Sequence, residues 1–155
     1  MVPEREAWVS TLIAAVRGTQ SPPVVLAHSV GSIATVFAMA AAPVSAAVLV
    51  APADAEREGA PEALRSFIPI PREPLRAPAL VIVSDNDPYC SLERAREFAD
   101  AWKADLETVR GGGHINTDAG FGPWPEGWQM VGGWLRRHDL SWPEHSRERG
   151  DGRHA

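Results

Sequence analysis

The chain has 155 residues, a formal net charge of −5 and 45% hydrophobic residues, a composition typical of one globular domain. The acidic excess, with no basic stripe interleaved with aromatic residues, argues against a nucleic-acid partner. A single cysteine, Cys90, excludes an internal disulfide and favours a reducing compartment. Residues 1–6 are charged and lack the apolar core of a secretion signal. The apolar run 33–53 is interrupted by Pro43, so we expect a cytoplasmic protein with no membrane partner.

The first half of the chain alternates helical and strand patterns. The chain begins with a stripe of apolar residues at helical spacing, and Gly18 follows the end of this stripe. The residues of the stripe are Val9, Leu12, Ile13 and Val16. The predicted elements are a helix over this stripe, a strand at 23–26, an alanine-rich helix at 32–42 and a strand at 46–50.

The second half continues the alternation after a proline-rich loop at 52–78 with one helical turn. One helix in this half has an apolar face that ends at Trp102, and Ser91 is its expected N-cap. The last helix is expected to bury Trp128. The predicted elements are strands at 79–83 and 106–109, a helix at 92–102 and a helix at 126–137. Residues 139–155 are polar and expected to be disordered, so the predicted domain is 1–138.

Strands that alternate with helices predict an α/β fold: a three-layer sandwich with a mostly parallel sheet. The almost wholly apolar strand at 79–83 supports this, because parallel strands are covered on both faces.

The segment Ala27–Gly31 lies where the first predicted strand meets the following helix. A serine on such a tight turn, with small residues on both sides, is the nucleophile elbow of α/β-hydrolases. Here Ala27 stands in place of the usual first glycine, and Gly31 is kept. The alternative is that Ser29 is an ordinary buried serine in a turn.

Asp87 and His114 follow later strands in the chain order of an α/β-hydrolase triad, which is Ser, then Asp or Glu, then His. Asp87 comes after the third strand and His114 after the fourth, and the carboxyl ends of parallel strands form the ligand-binding edge of such a sheet. A serine nucleophile needs a base to take its proton and a carboxylate to orient that base. Asp85 is the alternative carboxylate. Asp87 could instead only begin a turn before Pro88. His114 could instead only form hydrogen bonds to backbone carbonyls. The histidines show no metal-ligand spacing, so no metal site is predicted.

Three segments resemble the small serine hydrolases of the YdeN and retinoblastoma-binding-protein type: Ala27–Gly31, Ser84–Tyr89 and Gly113–Asn116. The run Gly120–Gly127 is similar to the family's signature after the histidine. The resemblance covers about residues 5–138.

This resemblance implies a compact α/β-hydrolase fold with a minimal lid and a Ser29–Asp87–His114 triad. It implies no metal or organic cofactor. We expect His28 and Trp124 to contribute to substrate binding.

The chain departs from the family at its N-terminus, where an apolar strand and a glycine- and histidine-bearing loop are expected. We therefore interpret it as N-terminally truncated. The backbone N–H of Val30 is then the one identifiable oxyanion donor. The strand at Val24–Leu26 becomes an exposed edge that could pair with a second copy as a homodimer. Such pairing is one explanation for the absent strand and loop. The other two are that the protein starts upstream of Met1 and that it is a degraded hydrolase with weak activity.

The predicted function is cleavage of small esters, or amides, through an acyl-Ser29 intermediate, with His114 as general base and acid and Asp87 orienting it. The alternative is a catalytically weak or silent module that keeps the fold and binds a peptide or protein.

Overall fold

The computed structural model describes residues 3–141. The chain divides into two units between Trp124 and Pro125. The first unit holds all the strands and three helices, and the second holds the last helix. Most of the tail that we expected to be disordered, residues 142–155, lies outside the described residues. The predicted domain bounds of 1–138 stay a prediction.

Every element predicted from the sequence is present. The helices and strands are α1 (Arg5–Arg17), β1 (Val24–His28), α2 (Val30–Met39), β2 (Ala46–Val50), β3 (Ala79–Ser84), α3 (Leu92–Trp102), β4 (Asp105–Val109) and α4 (Pro125–Arg137). A 3₁₀ helix at Glu62–Phe67 is the predicted helical turn of the long loop, and a second 3₁₀ helix spans Thr117–Ala119.

The four strands form one parallel sheet in the order β1-β2-β3-β4. Every residue of β2 and β3 is buried, which confirms the prediction of parallel strands covered on both faces. Because all four strands run the same way, the loops that follow them begin at one edge of the sheet. That edge receives the segments that start at Ser29, Ala51, Asp85 and Arg110.

The hydrophobic core joins α2 and α3 to one face of the sheet through large side chains such as Ile33, Val81 and Phe98. The predicted cap of α3 is confirmed, because the Oγ of Ser91 accepts the backbone N–H of Arg94. A capping bond of this kind typically stabilises a helix by about 1 kcal/mol.

Two predictions about helices need correction. Trp128 of α4 is 54% exposed, whereas the buried residues of that helix are Gly127, Val131, Trp134 and Leu135. The period of the apolar stripe places position 128 just outside the buried face. In addition, α2 begins two residues earlier than predicted, because Ser29 itself is the cap that starts it.

The strand β1 forms one edge of the sheet, so the predicted exposed edge is present. The side chain of Leu26 on this strand is exposed. An open groove of about 760 Å³ runs beside it, between α1 and the β1–α2 turn, with Trp8, Leu12 and Gly31 in its lining. Pairing of a second copy with this edge stays a prediction. No helix within residues 3–141 could span a lipid bilayer.

Candidate active site

Ser29 lies on the turn between β1 and α2, with φ 56° and ψ −126°. A non-glycine residue in this region costs about 1–3 kcal/mol and is held only when its surroundings fix it. Here the N–H of Ser29 donates to the carbonyl of Val50 at 2.9 Å, and its own carbonyl accepts the N–H of Ser32 at 3.0 Å. The turn thus has the geometry of a nucleophile elbow.

The structure brings Ser29, Asp87 and His114 together. The Nε2 atom of His114 lies 2.8 Å from the Oγ of Ser29. Its Nδ1 atom lies 2.9 Å from the Oδ2 of Asp87. When Nδ1–H donates to the carboxylate, Nε2 is left to accept the hydroxyl proton of Ser29, which is the arrangement that a general base requires.

Asp87 and His114 are shielded from water, with side chains only 2% and 10% exposed. Asp87 also forms the turn that its position before Pro88 suggested, because its Oδ1 accepts the N–H of Tyr89 at 2.8 Å. The ring of Tyr89 packs edge-on against the imidazole of His114, with centroids 4.6 Å apart. The carboxylate is therefore both a partner of the imidazole and an anchor of its own loop.

Two residues between β3 and Asp87 hold the glycine-rich approach to His114. The Oδ1 of Asp85 accepts the N–H of Gly111 at 2.7 Å. The Oδ1 of Asn86 accepts the N–H of Gly113, also at 2.7 Å. Asp85, the alternative carboxylate, is thus engaged with the backbone of this loop. The role of Asn86 was missed from the sequence, although Asn side chains in turns often form hydrogen bonds to backbone groups.

His28 contacts the backbone of His114. Its Nε2 lies 2.8 Å from the carbonyl oxygen of His114, and the two imidazole rings are 4.8 Å apart. A carbonyl can only accept, so Nε2 of His28 carries the proton. This contact holds the loop that carries His114. The expectation that His28 also binds substrate stays a prediction.

The other two predicted site residues are Val30 and Trp124. Val30 is the first residue of α2, and amides in a first helical turn have no acceptor within the helix, so its N–H can serve an anion. The ring of Trp124 packs edge-on against Phe121 at 5.3 Å. The role of Trp124 in substrate binding stays a prediction.

Cys90 is a further nucleophilic side chain near this edge, and it is 4% exposed. Burial raises the pKa of its thiol to about 12, and the carboxylates of Asp54 and Asp87 add to the effect. The thiol is therefore protonated at neutral pH and is a poor nucleophile. Within residues 3–141, no group of three or more His, Cys, Asp or Glu side chains could hold a metal ion.

The parallel sheet, with a strand–turn–helix serine at its carboxyl edge, defines the class: the protein has the α/β-hydrolase fold. A protein-family model described as "Serine hydrolase" matches residues 1–133. The chain belongs to this serine hydrolase family. No curated protein matches the sequence.

Solved structures support the same assignment. A YdeN-like hydrolase from Pectobacterium atrosepticum is 31% identical with a TM-score of 0.72, and the match covers 83% of this chain and 68% of that one. The ydeN gene product of B. subtilis is 20% identical with a TM-score of 0.65, over 87% and 77% of the two chains. A monoacylglycerol lipase from Paleococcus ferrophilus is 14% identical with a TM-score of 0.68, over 88% and 77%, and shares the fold.

Proposed function

We propose that this serine hydrolase cleaves small carboxylic esters, or amides, through an acyl-Ser29 intermediate. The observation that carries the proposal is the continuous line of hydrogen bonds from Ser29 Oγ through the His114 imidazole to the Asp87 carboxylate. A hydroxyl is a weak nucleophile until an adjacent base can take its proton, and this line supplies that base together with its orienting carboxylate.

The reaction proceeds in two halves. In the first, Ser29 Oγ attacks the carbonyl carbon while its proton moves to Nε2 of His114. The tetrahedral intermediate then expels the alcohol or amine, which takes that proton, and leaves the acyl-enzyme. In the second half, water attacks the acyl carbon and gives a proton to His114, which returns it to Ser29 Oγ as the acid leaves. Asp87 stabilises the imidazolium in both halves.

We also propose that turnover is modest. Among residues 3–141 we identify one oxyanion donor, the N–H of Val30, and an oxyanion hole with one donor instead of two typically has a turnover lower by about 10²–10³-fold. The comparison that tests this is kcat on one p-nitrophenyl ester for this protein and for the YdeN-like hydrolase of Pectobacterium atrosepticum. Equal kcat values would contradict the proposal of impairment.

A fluorophosphonate probe tests the function itself, because it reacts only with an activated serine. We expect stoichiometric labelling, located at Ser29 by mass spectrometry of the modified peptide. Ser29→Ala should remove the label and the hydrolysis of p-nitrophenyl esters while leaving the unfolding transition in place. Ser10→Ala removes an exposed serine of α1 and is the matched control. A folded wild-type protein that takes up no label would leave the silent binding module as the better description.

We propose a cytoplasmic location as well. The support is the single cysteine with a free, buried thiol, because chains of reducing compartments do not depend on disulfides. Fractionation of the native host with an antibody against the chain tests it, and recovery in the secreted fraction would contradict it.

A further inference from the structure

The loop that follows β2 lies between the two segments that carry the triad. The N–H of Ala53 donates to the backbone carbonyl of Ser29 at 3.4 Å, and the next N–H, that of Asp54, donates to the carbonyl of Tyr89 at 3.1 Å. Tyr89 in turn donates its N–H to the carboxylate of Asp87. Two consecutive amides of the loop after β2 therefore connect the turn that holds Ser29 with the loop that holds Asp87.

The side chain of Asp54 determines the shape of that loop. It is 7% exposed, and both carboxylate oxygens are engaged. Oδ1 accepts the N–H of Glu56 at 3.0 Å, which closes a turn within the loop. Oδ2 accepts Nε–H of Arg94 at 3.0 Å, which fixes the loop to α3. These two bonds hold the segment that supplies the two amides.

Arg94 is itself held firmly. It forms ion pairs with Asp54, Glu56 and Glu97, and its guanidinium lies over the ring of Phe98 at 4.9 Å. Glu56 continues the network to a second arginine, Arg72, at 2.6 Å. Charge-assisted hydrogen bonds in a partly buried network are stronger than neutral ones, so Arg94 is a rigid support for the loop.

We propose that Asp54 and Arg94 form a clamp that positions the Ser29 turn against the Asp87 loop. They are positioning residues, since neither touches the hydroxyl or the imidazole that reacts. The inference rests on the proposed function, because the geometry that the clamp holds is that of the triad. Misplacement of reacting groups by about 1 Å costs on the order of 10²-fold in rate, so the clamp matters for turnover more than for substrate affinity.

Two substitutions remove the clamp from opposite sides, and a third is the control. Asp54→Asn removes the charge that Arg94 binds, and Arg94→Gln removes the arginine. Glu93→Gln removes an exposed carboxylate of α3 that directly precedes Arg94 in the chain. With a p-nitrophenyl ester, we expect kcat to fall by about 10- to 100-fold in the first two variants with KM nearly unchanged. Glu93→Gln should keep both constants.

The thiol of Cys90 gives a second readout that does not depend on catalysis. Cys90 follows Tyr89 directly in the Asp87 loop and is buried. An aromatic disulfide reagent therefore reaches its thiol only when this loop moves away from the loop after β2. The charges of the two clamp residues act on this thiol in opposite directions: Asp54 raises its pKa and Arg94 lowers it. If Arg94→Gln acted only through the lost positive charge, the pKa of the Cys90 thiol would rise and its reaction with the reagent would be slower. Faster reaction in both variants, beyond what their changed unfolding equilibrium accounts for, can come only from an opened loop.

These readouts separate the two proposals. If wild-type protein turns over the ester and both folded variants match it in kcat, the clamp is refuted while the proposed function stands. If wild-type protein neither labels nor turns over, the proposed function is lost, and thiol reactivity alone decides on the clamp. Unchanged reactivity in Arg94→Gln would then refute it, and accelerated reactivity would support it. Should Asp54→Asn fail to fold, Arg94→Gln carries the same decision.

Discussion

Nε2 of His28 donates a hydrogen bond to the backbone carbonyl of His114 over 2.8 Å. The residue that directly precedes the proposed nucleophile, Ser29, thus holds the backbone of the residue proposed to activate it. The two are 86 positions apart in the chain, and the bond connects the end of β1 to the loop that carries the His114 imidazole.

Loss of this bond should slow the chemistry without unfolding the protein. We expect His28→Ala to lower kcat/KM for a p-nitrophenyl ester by about 10-fold or more, because small displacements of a catalytic base are costly. His28→Gln keeps a side-chain N–H that can donate to the same carbonyl, so it should recover part of the rate. Equal rates for wild type and His28→Ala would show that the contact is dispensable.

Two carboxylates in the same loop offer a matched test of the triad. Asp87→Asn leaves the shape of the site intact but replaces the carboxylate that orients His114, and kcat should fall by up to about 10⁴-fold. Asp85→Asn keeps an oxygen that can accept the N–H of Gly111, and kcat should change little. Steady-state kinetics of both variants provide the measurement. Similar losses in the two would mean that the carboxylate of Asp87 has no special role.

Two glycines near the site differ in the space around them. A Cβ at Gly112 would lie 2.8 Å from Cγ1 of Val109, whereas a Cβ at Gly31 would meet nothing within 4 Å. Gly112→Ala should therefore lower the free energy of unfolding by about 1–3 kcal/mol, as overpacking does, and should slow turnover. Gly31→Ala lies in α2 and should raise the free energy of unfolding by up to about 1 kcal/mol. Urea unfolding of both variants decides between these signs.

The exposed edge of the sheet leads to a prediction about assembly. At the ends of β1, the carbonyl of Pro23 and the N–H of Ser29 both bond towards β2. Backbone groups alternate in direction along a strand, so the outward-facing ones belong to Val24, Leu26 and His28. In an antiparallel pair related by a two-fold axis, these positions of one copy meet the same positions of the other.

We therefore expect a homodimer, with a mass twice that of the chain in size-exclusion chromatography with light scattering. Leu26→Lys should give monomers, because a charged side chain on an edge strand blocks edge-to-edge pairing. Thr108→Lys introduces the same side chain on β4, at the opposite edge, and should leave the dimer intact. A wild-type protein that is monomeric at every concentration tested would rule out this pairing.

The partly buried ion pairs of Glu56 predict a stability change in acid. Burial alone would raise the pKa of Glu56, but the N–H of Ile70 and the guanidinium groups of Arg72 and Arg94 hold it below its ordinary value of 4.5. The folded state then binds fewer protons than the unfolded state, so this stabilisation is present above 4.5 and is lost as the pH falls through the folded-state pKa.

Urea unfolding of wild type and Glu56→Gln from neutral pH into the acid range measures this effect. The variant should be less stable at neutral pH, and the difference between the two should shrink as the pH falls. A difference that is constant across the range would mean that Glu56 has the same pKa in both states.

The features that could be predicted from the sequence are those encoded within short stretches of chain. The apolar run before Ala27, the turn at Ser29 and the cap at Ser91 specify a strand, an elbow and a helix start through local sterics and hydrogen bonding. The order of the elements then specifies a parallel sheet, whose geometry brings the ends of all strands to one edge. This explains why Asp87 and His114 could be proposed as partners of Ser29.

The remaining features depend on contacts between distant segments, for which no local pattern exists. Asp85 and Asp87 follow the same strand, and the fold directs one to the backbone of Gly111 and the other to His114. Asp54 and Arg94 are 40 positions apart and meet because the loop that holds Asp54 and the helix α3 follow neighbouring strands, β2 and β3. Burial was also decided by packing, because the helical period that buries Val131 leaves Trp128 54% exposed. Local chemistry therefore identified the elements and the proposed nucleophile, while the packing of distant segments selected the partners that hold it.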